Sequence, residues 1–219
     1  MNKILLTLAI FLSFSFLASA QFSKGSILLG GQLSFSSSKT GSSNIVNPEQ
    51  KTSNGIFSIS IGKAIKENAV FGIDLSYSPY SINNYYTYTA GPLDYSNNSY
   101  SIGVFYRIYK NLGKDFFLFG QVGAAYIGST ESGKDGSGNK MVTGSGSGGS
   151  VYFMPGISYK ISKNFLLDLT IPYLFLANYN SQKSTTVGQQ PNTNDHFNIS
   201  TSLSSSPLMD LGIGFRLNL

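Results

Sequence analysis

Apolar and polar side chains alternate with a period of two along most of this chain. From Gly25 onward, Ile27, Leu29, Leu33 and Phe35 fall on one parity and Ser26, Gly30, Gln32, Ser34 and Ser36 on the other, with Leu28 as the exception. An extended chain sends successive side chains to opposite faces, so the pattern predicts a strand with one apolar face. It recurs over residues 57–61, 71–77, 100–108, 118–126, 151–161, 167–175 and 211–219. In the 100–108 segment Phe105 breaks the rule, and in 118–126 both faces carry apolar groups, Phe119 and Ala125 opposing Leu118 and Val122. The 167–175 segment sets Leu167, Leu169, Ile171, Tyr173 and Phe175 against Asp168 and Thr170. Eight strands are predicted.

The connections decide which sheet these strands build. AIKENA, NLGKD and SKN join strands two to three, four to five and six to seven, all as short polar turns. The other four connections, near residues 37–54, 81–98, 129–149 and 180–205, are long and rich in Ser, Asn, Gly and Thr. Short and long alternate strictly, as in a transmembrane barrel with tight turns on one side of the membrane and long loops on the other. Parity alone also fits a soluble sandwich, but two further features favour the barrel. Tyr106 and Tyr159 sit near the short-turn end and Tyr77, Tyr100 and Tyr126 near the long-loop end, forming two aromatic girdles. Residues 1–20 carry Lys3, an apolar run from Ile4 and the small-x-small triplet Ala18-Ser19-Ala20, which reads as a cleaved secretory signal peptide. The expected fold is therefore all-β: an eight-stranded antiparallel transmembrane up-and-down β-barrel over residues 21–219, in a bacterial outer membrane.

Composition agrees. Of 219 residues 41% are hydrophobic and only 11% charged, too few charges to coat a soluble surface. The chain has no Cys, which removes disulfides, thiolate metal sites and cysteine nucleophiles. Its net charge of +5 is scattered rather than clustered, so no nucleic-acid partner is expected. No cofactor is expected either.

The signal peptide, FLFGQVGAAY at residues 117–126, MPGISYKISKNFLLD at 154–168 and the closing LGIGFRLNL together resemble the small outer-membrane β-barrel domain proteins of Gram-negative bacteria, especially those abundant in Bacteroidota. The resemblance spans the whole chain after residue 20. Such proteins usually end in Phe, whereas this one ends in Leu219 with Phe215 and Leu217 upstream. It implies outer-membrane lipid and lipopolysaccharide as surroundings, and periplasmic chaperones and the barrel-insertion machinery as partners. It implies nothing specific about activity.

The candidate site is the lumen. An eight-stranded barrel is just wide enough for its own side chains to fill, so a plugged interior is expected. The inward parity offers Asp74, Arg107, Lys160, Asp168, Asp210 and Arg216, three negatives against three positives. All but Asp210 lie near the short-turn end, which predicts a charged layer there, structural or acting as a gate. Buried charges should pair, with Lys160 near Asp168 across the hairpin and Arg216 near Asp168 or Asp74. Outside, five loop lysines meet five loop acids, leaving no field to steer a charged solute. The last strand has same-parity residues from Phe197 to Ser205, so it is expected to continue as a ribbon above the membrane, beside residues 85–89.

Three motif matches lack their context. Gly144, Gly146 and Gly149 fit a dinucleotide pattern but lead into a strand. Asp135, Ser137 and Asn139 begin like a calcium loop, yet Lys140 stands where Gly is required. His196, the only histidine, adjoins Asp195, but neighbours on a strand face opposite ways and cannot form a Ser-His-acid relay. The leading expectation is a non-enzymatic barrel whose external loops serve structure, adhesion or recognition of a protein or glycan ligand. A narrow small-solute channel and an outer-membrane lipid-modifying enzyme are the alternatives.

Overall fold

The computed structural model describes residues 22–41, 49–87, 91–135, 137–171, 173–186, 188, 190–201 and 211–219. The predicted signal peptide and Asp210 lie outside them. The regular elements are all strands: β1 (Ile27–Thr40), β2 (Gln50–Lys66), β3 (Ala69–Thr87), β4 (Gly91–Gly113), β5 (Phe116–Asp135), β6 (Lys140–Ser162), β7 (Phe165–Thr170), β8 (Phe175–Thr186), β9 (Asn192–Ser200) and β10 (Gly212–Asn218).

Strands β1 to β6 pair antiparallel in chain order, β6 pairs with β7, β7 with β10, and β10 with β1 from Leu28↔Asn218 to Leu33↔Ile213. Eight strands thus close on themselves. Over the paired spans closure leaves no open sheet edge, which hydrocarbon would not tolerate. Outside the ring, Ile59, Ile73, Ile102, Val122, Leu169 and Ile213 stand exposed, among many similar residues. A continuous apolar belt of this kind is what a bilayer covers.

Six of the eight ring strands outrun the membrane, whereas β7 and β10 have only 6 and 7 residues. β4 and β6 each have 23 residues, against the roughly 9–11 a tilted strand needs to cross. The long connections expected as loops are therefore largely hairpin extensions: β5 and β6 stay in register out to Gly133↔Val142, and β3 and β4 pair out to Thr87↔Gly91 across a register shift between Ile82 and Tyr85. Their Ser-rich composition is compatible with strand because hydroxyls pair across it, as in Ser96···Ser132 at 2.9 Å.

Two expectations need correcting. The seventh strand is split, since β7 ends at Thr170 and Tyr173 takes a positive φ of 53° before β8 resumes at Phe175. That kink turns Tyr173 into the lumen, against Tyr152 at 5.7 Å between ring centroids, instead of onto the apolar outer face. β6 follows the break by changing partner, from β7 at Gly156↔Thr170 to β8 at Phe153↔Phe175. The outer ribbon before the final strand, β9, pairs with β8 through Tyr179↔Phe197 and not with residues 85–89, which remain in the β3–β4 ladder where residues 85–87 are described. A hairpin partner adjacent in sequence closes at a lower entropic cost than a remote one.

The packed core sits inside the ring at the short-turn end. Phe22, Leu28, Val70, Phe105, Tyr109, Phe117, Phe119 and Leu166 form one buried cluster there. Gly72 is what admits Phe105, because a Cβ on Gly72 would lie 2.7 Å from its ring and 2.6 Å from Gly62 Cα. Phe22 enters from ahead of β1, stacks edge-on against Tyr109 at 4.9 Å, and is anchored by Asn68 N–H donating to its carbonyl at 3.3 Å.

Candidate functional site: a sealed floor under an outward cup

Above the aromatic cluster lies a polar layer in which Arg107, Asp168 and Arg216 are each held by several partners. Asp168 projects inward from β7 and is 3% exposed, and two guanidiniums meet its Oδ2: Arg107 Nη1 at 2.6 Å and Arg216 Nε at 3.1 Å. Ser158, directly across the β6–β7 ladder, donates its hydroxyl to Asp168 Oδ1 at 2.6 Å. Arg107 also donates from Nε to Gln121 Oε1 at 2.8 Å, and Arg216 from Nη1 to Ser60 Oγ at 3.1 Å. Gln121 in turn donates to the Tyr152 hydroxyl at 3.3 Å, and that hydroxyl donates to Asp74. The network crosses the lumen from β2 and β3 to β7 and β10. Charge-assisted bonds of this kind offset the cost of taking ions out of water only when nearly every donor and acceptor is used, as here.

The layer rests on the rings beneath it. Arg107 lies 4.0 Å above the Phe119 centroid and 5.7 Å from that of Tyr109, and Arg216 lies 5.7 Å from that of Phe105. The aromatic faces add favourable electrostatics to guanidiniums already stripped of water. Together, the rings and the ionic layer fill the lumen at this end.

Of the six inward charges, the structure brings Arg107, Asp168 and Arg216 together. Asp74 joins through Tyr152 rather than by direct contact with an arginine. Lys160 does not approach Asp168: the ladder sets Ser158 opposite Asp168 and Lys160 opposite Leu166, so Lys160 sits half-exposed at the rim, where water solvates it. Asp210 lies outside the described residues. Gln121, Tyr152, Ser158 and Ser60 carry the polar parity but no charge, and Phe22 has no periodic pattern, so none of them stood out.

Toward the long-hairpin end the lumen opens into a cup of about 290 Å³. Asp74, Gln121, Tyr152 and Arg216 lie at its bottom, and Ser58, Ser76, Ser78, Ser99, Ser101 and Ser150 are on its walls. Higher still, Tyr95 and Gln182 flank Glu131, with Gln182 donating to the carboxylate. Burial, and then the Glu131 carboxylate beside it, push the Tyr95 phenol up to about 12, so it stays a neutral donor.

The remaining motif residues are accounted for locally. Gly144 and Gly146 lie in β6 against the Lys183 carbonyl and Ser129 Oγ, where a Cβ would come within 2.7 and 2.6 Å respectively. His196 is exposed on β9 opposite Asn180, with Asp195 on the other face of the strand. Asp135 closes the β5–β6 hairpin, its Oδ1 accepting the Ser137 and Asn139 N–H groups at 3.0 and 2.8 Å and its Oδ2 accepting Asn139 Nδ2 at 3.1 Å.

The Asn139 side-chain amide, then the backbone N–H groups, hold the Asp135 carboxyl below the usual carboxylate range. A depressed value means that the folded turn favours the ionised form, so its support is present above the ordinary aspartate value and lost as pH falls through the lowered one. The Asn139 amide resonances are expected to hold their shifts at neutral pH and move toward random-coil positions only in acid below that range. Asp135→Asn should abolish that acid transition in an NMR titration.

A family model described as outer membrane protein beta-barrel domain matches residues 5–204 of the chain. Among solved structures, the outer membrane protein OprG from Pseudomonas aeruginosa is similar with a TM-score of 0.50 at 12% identity, covering 92% of this chain and 99% of that one. Neisserial surface protein A gives 0.44 at 17% identity, over 90% and 98%. Ail, the attachment invasion locus protein of Yersinia pestis, gives 0.38 at 15%, over 90% and 100%. At these identities the likeness is one of fold. No curated protein matches the sequence.

Proposed function

Because the chain belongs to the outer membrane protein beta-barrel domain family, we propose that it is a closed, non-conducting and non-enzymatic barrel of the bacterial outer membrane. Its body anchors the extended outer hairpins, which present Tyr, Ser and Asn to an external protein or glycan ligand. The observation that carries this reading is the filled short-turn end: the Arg107–Asp168–Arg216 layer stacked on Phe105, Tyr109 and Phe119, with Phe22 beneath. A narrow channel needs a continuous wet path, and an eight-stranded ring packed with rings and paired ions has no room for one. Lipid-modifying chemistry needs a base oriented by an acid, and His196 has Asp195 on the opposite face of its strand.

On this reading the charged residues serve as a structural seal rather than a gate. Planar-bilayer recording on protein purified from outer membranes tests it. Silent bilayers are expected from material whose gel mobility shifts on boiling. Discrete, reproducible current steps from the same material would overturn the sealed barrel and restore the channel.

A further inference from the structure

The cup above the seal is lined by hydroxyls and amides, with Ile56, Ile127, Met154 and Leu176 between them. Its walls carry serine hydroxyls from β2, β3, β4 and β6, joined by Asn97, Asn178 and Asn180. Ser76 and Ser101 are hydrogen-bonded to each other at 2.6 Å across the β3–β4 ladder. The side-chain oxygens of Asn97, Asn178 and Asn180 have no hydrogen-bond partner, and a fourth such oxygen among the described residues, on Asn218, belongs to the other end of the barrel. These oxygens are buried behind the wall, so the polar groups that face the cup are chiefly the serine hydroxyls.

The charges at the bottom of the cup are already committed. Asp74 accepts from Tyr152, and Arg216 donates to Asp168 and Ser60. An anion entering the cup would therefore meet no unpaired counter-charge to offset its lost hydration, and a cation would meet only Asp74, already hydrogen-bonded to Tyr152. A neutral molecule with many hydroxyls meets the opposite situation. Each of its O–H groups can donate to one serine hydroxyl and accept from another, since hydroxyls do both. Its C–H faces can lie on the rings of Tyr152 and Tyr173, which meet edge to face in the wall. The volume, about 290 Å³, is at the small end of ligand cavities, which begin at about 300 Å³.

We propose that this cup binds a neutral polyhydroxylated molecule of one or two sugar rings from the outside. The site rests on the sealed floor of the proposed function, because a closed floor makes the cup a receptor rather than the mouth of a pore.

The test is saturation-transfer difference NMR on the protein purified from outer membranes in a detergent without a sugar headgroup. The probes are glucose and maltose, with glutamate and spermidine as charged counterparts. Transfer to a sugar and not to the charged probes is expected, falling at least tenfold in Ser101→Phe, whose ring fills the cup. Ser99→Leu is the second filling variant should Ser101→Phe fail to give heat-modifiable barrel. Transfer to neither sugar (water only in the cup), equal transfer to wild type and a folded filled variant, or preference for a charged probe would each overturn the proposal. The two readings fail separately: silent bilayers without sugar binding leave the sealed barrel and remove the ligand, whereas conductance with sugar binding does the reverse.

Discussion

Asp168→Asn is expected to destabilise the barrel by about 3–5 kcal/mol, the range for removing one partner of a buried ion pair. The loss should lie at the upper end, because Asp168 is the direct carboxylate partner of both Arg107 and Arg216, and both guanidiniums are buried. An asparagine keeps the shape and one acceptor but leaves two buried cations uncompensated. The effect is read as a lower urea midpoint for loss of heat-modifiable mobility. A companion variant separates charge from packing: Arg107→Met, Asp168→Leu and Arg216→Met together remove all three ions. Replacing a complete buried ion cluster with apolar groups of similar volume is often neutral or stabilising, so most of the midpoint should return. If the triple variant is as weak as Asp168→Asn, the layer holds the barrel through geometry rather than charge compensation.

Phe119→Ala should cost a similar amount. The ring is 2% exposed and packs against both the Arg107 guanidinium and Tyr109, whose ring centroid is 5.9 Å away. Truncating a fully buried phenylalanine costs about 3–5 kcal/mol, depending on how far the surroundings collapse. Here collapse is opposed by the closed ladder of β4, β5 and β6, and the guanidinium also loses the face it rests on. Part of the loss should therefore couple to Arg107, as a non-additive term in the Phe119→Ala/Arg107→Met cycle. Leu118→Ala, one residue away on the lipid-facing parity, should cost much less, since lipid fills the space. Equal losses at 118 and 119 would mean that the inside of this barrel is not the better-packed side.

The same pair shows what the sequence made legible. The period of two correctly separated Leu118 from Phe119, and the alternation of short turns with long connections led to the closed ring. The residues that broke the period proved informative in their own way. Leu28 and Phe105, the two exceptions, and Phe119, the apolar residue on the polar parity, all belong to the aromatic and aliphatic plug. An apolar side chain on the inner face of a narrow barrel has nowhere to go but the core.

What stayed hidden depends on register and on contacts across the lumen. Parity placed Asp168 inside but could not choose between Ser158 and Lys160 as its cross-strand neighbour; a two-residue offset in the hairpin decides that. Tyr152 and Asp74 meet although they are 78 residues apart. No periodic pattern marks Phe22, which lies ahead of the first strand and enters the plug by a local fold around Asn68. Tyr173 was misplaced because its left-handed backbone interrupts the alternation that placed its neighbours.

On the proposed reading the lumen is open to the outside and shut at the short-turn end. Since the chain has no cysteine, a single introduced thiol reports its own accessibility. Intact cells carrying Ser101→Cys or Ser158→Cys would be treated with a membrane-impermeant maleimide, with heat-modifiable mobility certifying the fold. Labelling is expected at residue 101 from outside the cell, and none at residue 158 until the barrel is denatured. Labelling of residue 158 in the folded barrel, or of residue 101 only from the periplasmic side, would contradict that reading.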